Sequence, residues 1–221
     1  MGQSYDRIAF ILIMKTAGSF VGRYLRSHVL VRHRLRRWRN YTMRNSWALG
    51  LERDWTEDEL RRILAASDRR MYVHNHVDGW SKALVEAYQA KGYFTFAWAR
   101  HPGDTMCSFF HWRQSRAGAT SETLDTFIRN HVDSGRPWET PDWWETLDFI
   151  EPFSTEAFAR FLEERFKVKF VARDRVNKSA NEGYSQYLAT GAISQDTHAL
   201  LESSEQMRIY REVCRRAGVT P

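Results

Sequence analysis

Short apolar runs alternate with helical patterns along the chain, and this alternation predicts the fold class. The first run, RIAFILIM at 7–14, leads into a turn of small residues and then into apolar positions at helical spacing. Further strand-like runs occupy 71–74, 93–99 and 167–172, whereas 121–152 has a helical and then an irregular pattern. Short continuous apolar runs are typical of parallel strands covered on both faces. We therefore expect an α/β protein, a three-layer α/β/α sandwich with a mainly parallel central sheet.

Helices are predicted between these strands and after the last of them. Thr56 and Glu59 have the spacing of a capping box, which predicts the start of a helix. An amphipathic helix is expected at 155–166, and 194–216 has the pattern of one long terminal helix. No internal repeat and no linker stands out, so we expect a single domain over residues 1–221.

Charge and cysteine content narrow the class of protein. The 221 residues include 33 Lys and Arg against 27 Asp and Glu, a formal net charge of +6. Such a balance suits a polyanionic ligand, an acidic substrate or nucleic acid, and does not choose among them. Cys107 and Cys214 are too few for a disulfide framework and lack the spacing of a metal site. With no apolar run of about 18 residues and no secretory-signal pattern, we expect a cytoplasmic protein without a membrane span.

Polar residues follow three of the predicted strands. Lys15–Ser19 come directly after the first strand, His74–Asp78 end the second, and Arg100–Ser108 follow the third. Ligands of parallel α/β sheets bind at the carboxyl ends of the strands. The three segments are therefore expected to converge on one site.

The first of these loops has the residue types of an anion-binding turn. The small residues Ala17 and Gly18 let backbone N–H groups approach an anion, and the next helix adds the positive end of its dipole. Lys15 contributes a full charge, and Thr16 and Ser19 contribute hydroxyl donors. The loop lacks the nucleotide-triphosphate motif G-x-x-x-x-G-K-[ST]. Taken alone, it fits a plain tight turn equally well.

The third loop favours an anion-binding site over a plain turn. Arg100 ends a strand and Ser108 lies eight residues later in the next predicted helix, a pair suited to a terminal phosphate monoester. Together with Lys15–Ser19, and with Pro102 and Asp104 in an Arg-x-Pro-x-Asp pattern, this arrangement resembles the sulfotransferase superfamily. Enzymes of that family use the donor 3′-phosphoadenosine 5′-phosphosulfate (PAPS). The resemblance implies a P-loop NTPase-like sulfotransferase architecture.

The resemblance covers about residues 7–115 and implies a role for each loop. The Lys15–Ser19 loop would bind the 5′-phosphosulfate of PAPS, and Arg100 and Ser108 would bind its 3′-phosphate. Lys15 would also neutralise the charge that grows on the leaving group. The product is adenosine 3′,5′-bisphosphate (PAP), and the reaction requires no metal.

The chain departs from the family at the edges of the first loop. Met14 stands where the family has proline, and Phe20 stands where it has a hydroxyl or tryptophan residue. Phe20 would stack on the adenine or pack inside the helix. Late in the chain, Lys178 belongs to a basic segment that would meet the 3′-phosphate or remain a solvated charge run.

The second loop offers a general base. Family members often use a histidine just beyond the second strand to deprotonate the acceptor hydroxyl, and His76 occupies that place. An unperturbed histidine side chain has a pKa of about 6.5, which makes this residue type suited to proton transfer. His74 competes with it, because side chains two apart on a strand point to the same face. The alternatives are a structural or surface histidine and a His-x-His metal site, and Asp78 would orient the imidazole of the base.

The implied activity is transfer of a sulfuryl group from PAPS to a hydroxyl or amine of a small-molecule or carbohydrate acceptor, by in-line displacement. Two alternatives are a nucleotide or small-molecule kinase of related fold and a non-catalytic protein that binds nucleic acid or an acidic polymer. The run Arg32–Arg39 would serve the latter; a sulfotransferase is expected to bind no nucleic acid.

The acceptor pocket is expected in two insertions, at about 31–55 and 115–152. Trp138, Trp143 and Trp144 in the second insertion would stack on an acceptor ring or pack in the interior.

Overall fold

A parallel β-sheet forms the middle layer of the protein. The computed structural model describes residues 7–25, 48–49, 55–66, 72–117, 121–171 and 183–221. Within them the strand order is β2-β3-β1-β4-β5, and every neighbouring pair is parallel. The strands are β1 (Ile8–Leu12), β2 (Ala48–Leu49), β3 (Tyr72–His76), β4 (Phe94–Ala99) and β5 (Phe149–Pro152).

Helices make up the outer layers. In the described part of the chain they are α1 (Gly18–Tyr24), α2 (Glu57–Ala66), α3 (Lys82–Ala90), α4 (Pro102–Ala117), α5 (Leu124–His131), α6 (Thr155–Phe166), α7 (Tyr184–Ala189), α8 (Gln195–Glu202) and α9 (Glu205–Ala217). None of these helices is both long and apolar enough to cross a bilayer.

Successive side chains of the buried strands pack alternately into two separate hydrophobic cores, one on each face of the sheet. On β1, Ile8 and Phe10 face a core shared with α1 and α6, whereas Ala9 and Ile11 face a core shared with α2 and α3. The period of two along each strand places successive residues on opposite faces. The predicted three-layer α/β/α arrangement with a parallel sheet is therefore confirmed.

Several local predictions are also confirmed. The backbone N–H of Thr56 donates to the Glu59 carboxylate at 2.9 Å, and the N–H of Glu59 donates to the Thr56 hydroxyl at 3.3 Å, as a capping box requires. The amphipathic helix predicted at 155–166 is α6, which buries Phe158 and Phe161 among other residues.

The strand predicted at 167–172 is wrong for its described residues, 167–171. Lys167 adopts a left-handed conformation (φ 54°) at the end of α6, and the N–H of Val168 donates back to the carbonyl of Leu162 at 3.2 Å. This turn closes the helix, and Val168 and Phe170 pack on the core instead of joining the sheet. Strand β5 comes instead from 149–152, inside the stretch predicted to be irregular.

The single terminal helix predicted at 194–216 is likewise wrong. The hydroxyl of Ser204 accepts a hydrogen bond from the N–H of Met207 at 3.2 Å and so starts a new helix. Two helices, α8 and α9, therefore replace one, and α9 packs its buried face on β5.

The strand order sets where a ligand can enter. From β1 the chain passes to β2 and β3 on one side, and then crosses to β4 on the other side of β1. The loops that follow β1 and β4 therefore leave adjacent strands at a topological switch point. Crevices at the carboxyl ends of such strands are where open α/β sheets bind ligands.

Candidate functional site

The loop after β1 has a backbone shaped to accept an anion. Lys15 and Ala17 both have left-handed φ angles, 67° and 60°, and Thr16 between them does not. Alternation of this kind turns successive N–H groups into a concave surface. The first N–H groups of α1 lie next to it and have no partner within the helix. The main chain thus supplies donors before any side chain is considered.

The side chains of the loop divide between structure and site. Thr16 is 1% exposed and its hydroxyl donates to the carbonyl of Ile13, so this hydroxyl closes the turn. The backbone of Ser19 belongs to α1, and its side chain lies outside the described part of the structure. At Gly18 a Cβ atom would lie 1.9 Å from Leu12 Cδ1, so only glycine leaves Leu12 in place. Among the described side chains of the loop, Lys15 is the one left to face a ligand.

Arg100 joins the two loops. Its guanidinium donates to the carbonyl oxygen of Lys15 at 3.0 Å, across 85 residues of sequence. This bond uses one of the five N–H donors of the guanidinium. The residues predicted to bind the two ends of PAPS, Lys15 and Arg100, are therefore in direct contact.

The cations of Lys15, Arg100 and Arg116 lie close together beside the loop that follows β1. Burial lowers the pKa of Lys15, and nearby Arg100 and Arg116 lower it further, to about 8. In the described part of the chain, no carboxylate lies within ion-pair distance of any of the three. A cluster of uncompensated positive charge costs free energy unless an anion binds to it.

One face of helix α4 lies beside the same loop. Ser108, Trp112 and Arg116 follow one another at intervals of four residues, so they line a single side of the helix. The ammonium of Lys15 lies 4.7 Å from the centre of the Trp112 ring. Trp112 and Arg116 were not predicted from the sequence, although their helical spacing from Ser108 was a signal for both.

His76 and His74 share a face of β3 but differ in surroundings. His76 pairs in register with Leu12 of β1, three residues before Lys15, and is half-buried at the strand end. His74 is 1% exposed and stacks on Phe10 at 4.7 Å between ring centres. Because His74 is enclosed by the core, His76 is the more accessible of the two imidazoles. Asp78 follows on an exposed turn.

Phe20 lies in the core-facing cluster of α1. Its ring centre is 5.3–6.3 Å from those of four aromatic neighbours, Tyr24, Phe153, Phe158 and Phe170. This packing favours a structural role for Phe20 over stacking on an adenine.

The tryptophans of the second predicted insertion pack in the interior. Trp138 and Trp144 are 7% and 5% exposed, and Trp143 packs against the core of α2 and α3. Trp138 lies 4.3 Å from Phe109 between ring centres. The interior alternative stated for these residues is therefore confirmed.

A neighbouring loop, 133–140, holds the loop that follows β1 in place. The N–H of Met14 donates to the carbonyl of Pro137 at 3.0 Å, a bond that a proline at position 14 could not make. Glu139 accepts hydrogen bonds from Ser134 and Gly135 and holds this loop in shape. Methionine at position 14 thus has a structural role that proline could not fill.

Other predicted contacts are structural or lie outside the described residues. Asp104 accepts the backbone N–H of Tyr184 at 2.8 Å and so anchors α7 to α4. Lys178 and the basic run Arg32–Arg39 lie outside the described residues. Within the part of the chain that is described, no group of three or more His, Cys, Asp or Glu side chains is arranged to hold a metal.

No protein-family model matches the chain, and no match was found among curated proteins or among solved structures.

Proposed function

We propose that the chain is a PAPS-dependent sulfotransferase with a P-loop NTPase-like architecture. The observation that carries the proposal is the cation cluster beside the β1 loop, at the switch point of the sheet, in which Lys15 and Arg100 meet, the exposed Arg116 lies near them, and no carboxylate of the described residues forms an ion pair. Phosphosulfate and 3′-phosphate groups are anions that such a cluster stabilises. The order of the two motifs along the chain supports PAPS as the donor.

Each group of the site has a role in donor binding. The N–H groups at the start of α1 and the Lys15 ammonium bind the 5′-phosphosulfate. Arg100 and Ser108 bind the 3′-phosphate, and the contact of Arg100 with the Lys15 carbonyl ties the two ends of the donor site together. PAP leaves as the product.

The transfer step needs one base and one cation. The acceptor oxygen attacks sulfur and forms a new O–S bond, while the bond from sulfur to the bridging phosphate oxygen breaks and its electron pair remains on that oxygen. Lys15 neutralises the negative charge that develops there, and His76 takes the acceptor proton. The protein contributes position and charge, which is most of what a loose in-line transition state requires.

Titration calorimetry with PAP tests the donor assignment. We expect Lys15→Ala and Arg100→Ala each to weaken PAP binding by about tenfold or more, because each removes a charge-assisted hydrogen bond. Lys82→Ala, which removes an exposed lysine on α3, should bind PAP like wild type. Wild-type affinity in both site variants would contradict the proposal.

Turnover of His76→Ala tests the base separately. This variant should keep its PAP affinity and lose turnover by about a hundredfold or more, since general-base catalysis typically contributes that much. Unchanged turnover would assign the proton to another group. Binding of ATP only with magnesium, without binding of PAP, would instead favour the kinase alternative.

A further inference from the structure

Trp112 differs from the other large rings near the site because it faces solvent. It is 41% exposed, whereas Trp98, Trp138 and Trp144 are each 7% exposed or less. The Lys15 ammonium lies 4.7 Å from the centre of its ring and the guanidinium carbon of Arg116 lies 5.6 Å away. The residue proposed to contact the transferred group therefore touches an open aromatic face flanked by cations.

Arg116 and Arg113 both lie on α4, but only Arg113 is held in an ion pair among the described residues, so Arg116 can bind a ligand. Arg113 forms an ion pair with Glu122 at 3.0 Å. Arg116 is exposed and, in the described part of the chain, has no carboxylate partner; its guanidinium packs over Trp112 instead. The ring and the guanidinium thus form one surface with an apolar face and a positive edge.

The chemistry of this surface restricts the acceptor. An aromatic face binds the flat C–H face of a sugar or another ring, and a guanidinium beside it binds a carboxylate or sulfate. A small phenol is usually enclosed in an apolar pocket, which buries most of its surface. Trp112 instead lies open on a helix, where a ring could stack while its hydroxyl edges stay in water. The formal net charge of +6 also favours an acidic partner.

We propose that Trp112 and Arg116 form the acceptor subsite and that the acceptor is an acidic saccharide. A pyranose ring stacks on Trp112, and a carboxylate or sulfate on the same or the next sugar pairs with Arg116. A hydroxyl of this saccharide receives the sulfuryl group and gives its proton to His76. The inference rests on the proposed sulfuryl transfer, and it adds the class of acceptor.

Turnover with labelled PAPS and three acceptors tests the subsite. The acceptors are unsulfated chondroitin, which carries uronic acids, neutral dextran, and 4-nitrophenol. Wild type should prefer chondroitin. Trp112→Ala should raise the KM for chondroitin by about tenfold or more, and Trp112→Phe should recover most of this loss because a ring remains.

Two arginine variants on α4 distinguish specific binding of an acidic acceptor from a general effect of positive charge. Arg116→Ala should lower the ratio of chondroitin to dextran turnover by about tenfold, since one charge-assisted hydrogen bond is lost. Arg113→Ala removes an equal charge and should leave the ratio unchanged. For Trp112→Ala and Arg116→Ala, the change in chondroitin KM should exceed the change in PAP affinity.

Direct binding distinguishes failure of this inference from failure of the proposed function. If wild type does not bind PAP in calorimetry, the sulfotransferase proposal itself fails. If it binds PAP, but the PAP-loaded protein does not bind chondroitin oligosaccharides, only the acceptor inference fails. Preference for 4-nitrophenol, or an unchanged chondroitin KM in Trp112→Ala, would also overturn the acceptor inference.

Discussion

Lys15 is held where its charge is disfavoured. Burial and the neighbouring guanidinium groups lower its pKa to about 8, and its backbone adopts a left-handed φ of 67°. A non-glycine residue in that conformation costs about 1 kcal/mol or more. Strain and electrostatic repulsion at the same residue are typical of sites organised for a ligand, because an incoming anion relieves the repulsion.

The pH dependence of PAP binding should follow from this pKa. A bound anion stabilises the protonated lysine, so the pKa of Lys15 rises on binding and the complex takes up a proton. Affinity should therefore be highest below about pH 8 and should fall above it, by up to about tenfold per pH unit. The phosphates of PAP, with a second pKa near about 6, keep a constant charge in this range.

Calorimetry in buffers of different ionisation enthalpy measures the proton uptake directly. Lys15→Arg is the matched control, because arginine stays charged throughout and its affinity should not vary between about pH 7.5 and about 9.5. Equal pH dependence in wild type and Lys15→Arg would show that another group controls binding.

Single residues also show how far the sequence predicts the site. Lys15, Arg100 and Ser108 were predicted because strand ends and helix starts are local patterns, and the structure brings the first two into contact. Trp112 was not predicted, because its spacing of four residues from Ser108 shows only that the two share a helix face, and the contact of that face with Lys15 is visible only in the structure. Phe20 was ambiguous because its partners, such as Phe153, lie far away in sequence.

At the scale of elements, the sequence predicted features that depend on residues close together in the chain. It did not predict features that depend on contacts between distant residues. The capping box at Thr56 and the stripe of α6 involve residues within a few positions of each other. Strand β5 has only four residues, all half-buried, and its place depends on pairing with β4. The run at 167–171 is as apolar as a strand but is needed to close α6 and to cover its core.

The docking of α7 on α4 is an element-scale contact that one methyl group should disturb. At Gly103 a Cβ atom would lie 2.5 Å from the ring of Tyr184, which is 5% exposed. Gly103→Ala should therefore lower the free energy of unfolding by about 1–3 kcal/mol, measured by urea denaturation. The ring must move, and with it the start of α7.

A neighbouring glycine provides the control for this experiment. Gly183 is the N-cap of α7, and a Cβ atom there would make an ordinary contact, 3.4 Å from Asp104 Oδ1, so Gly183→Ala should cost only the capping preference for glycine over alanine, about 0.5–1 kcal/mol, and less than Gly103→Ala. Tyr184→Ala removes the Cγ and ring atoms that the new methyl group meets, so Gly103→Ala should cost less stability in a Tyr184→Ala protein than in wild type. Equal costs for the two glycine variants would contradict this packing argument.

For the whole molecule, the cation cluster links ligand binding to stability. Lys15, Arg100 and Arg116 repel one another in the empty protein, and only the folded chain brings them together. A ligand that binds the folded state alone stabilises it by about 2.7 kcal/mol when its concentration is 100 times Kd. For a chain of 221 residues this corresponds to a rise in Tm of about 5–10 °C.

Thermal unfolding with and without PAP measures this linkage. PAP should raise the Tm, adenosine without phosphates should not, and the rise should shrink in Lys15→Ala and at high salt, because partly exposed charges are screened. Without ligand, the Lys15→Ala protein should melt close to wild type, because relief of the repulsion from Arg100 and Arg116 offsets the lost cation–π contact with Trp112. A Tm that responds equally to PAP and adenosine would place the ligand's contacts outside the cation cluster, and would remove the main support for a phosphosulfate donor.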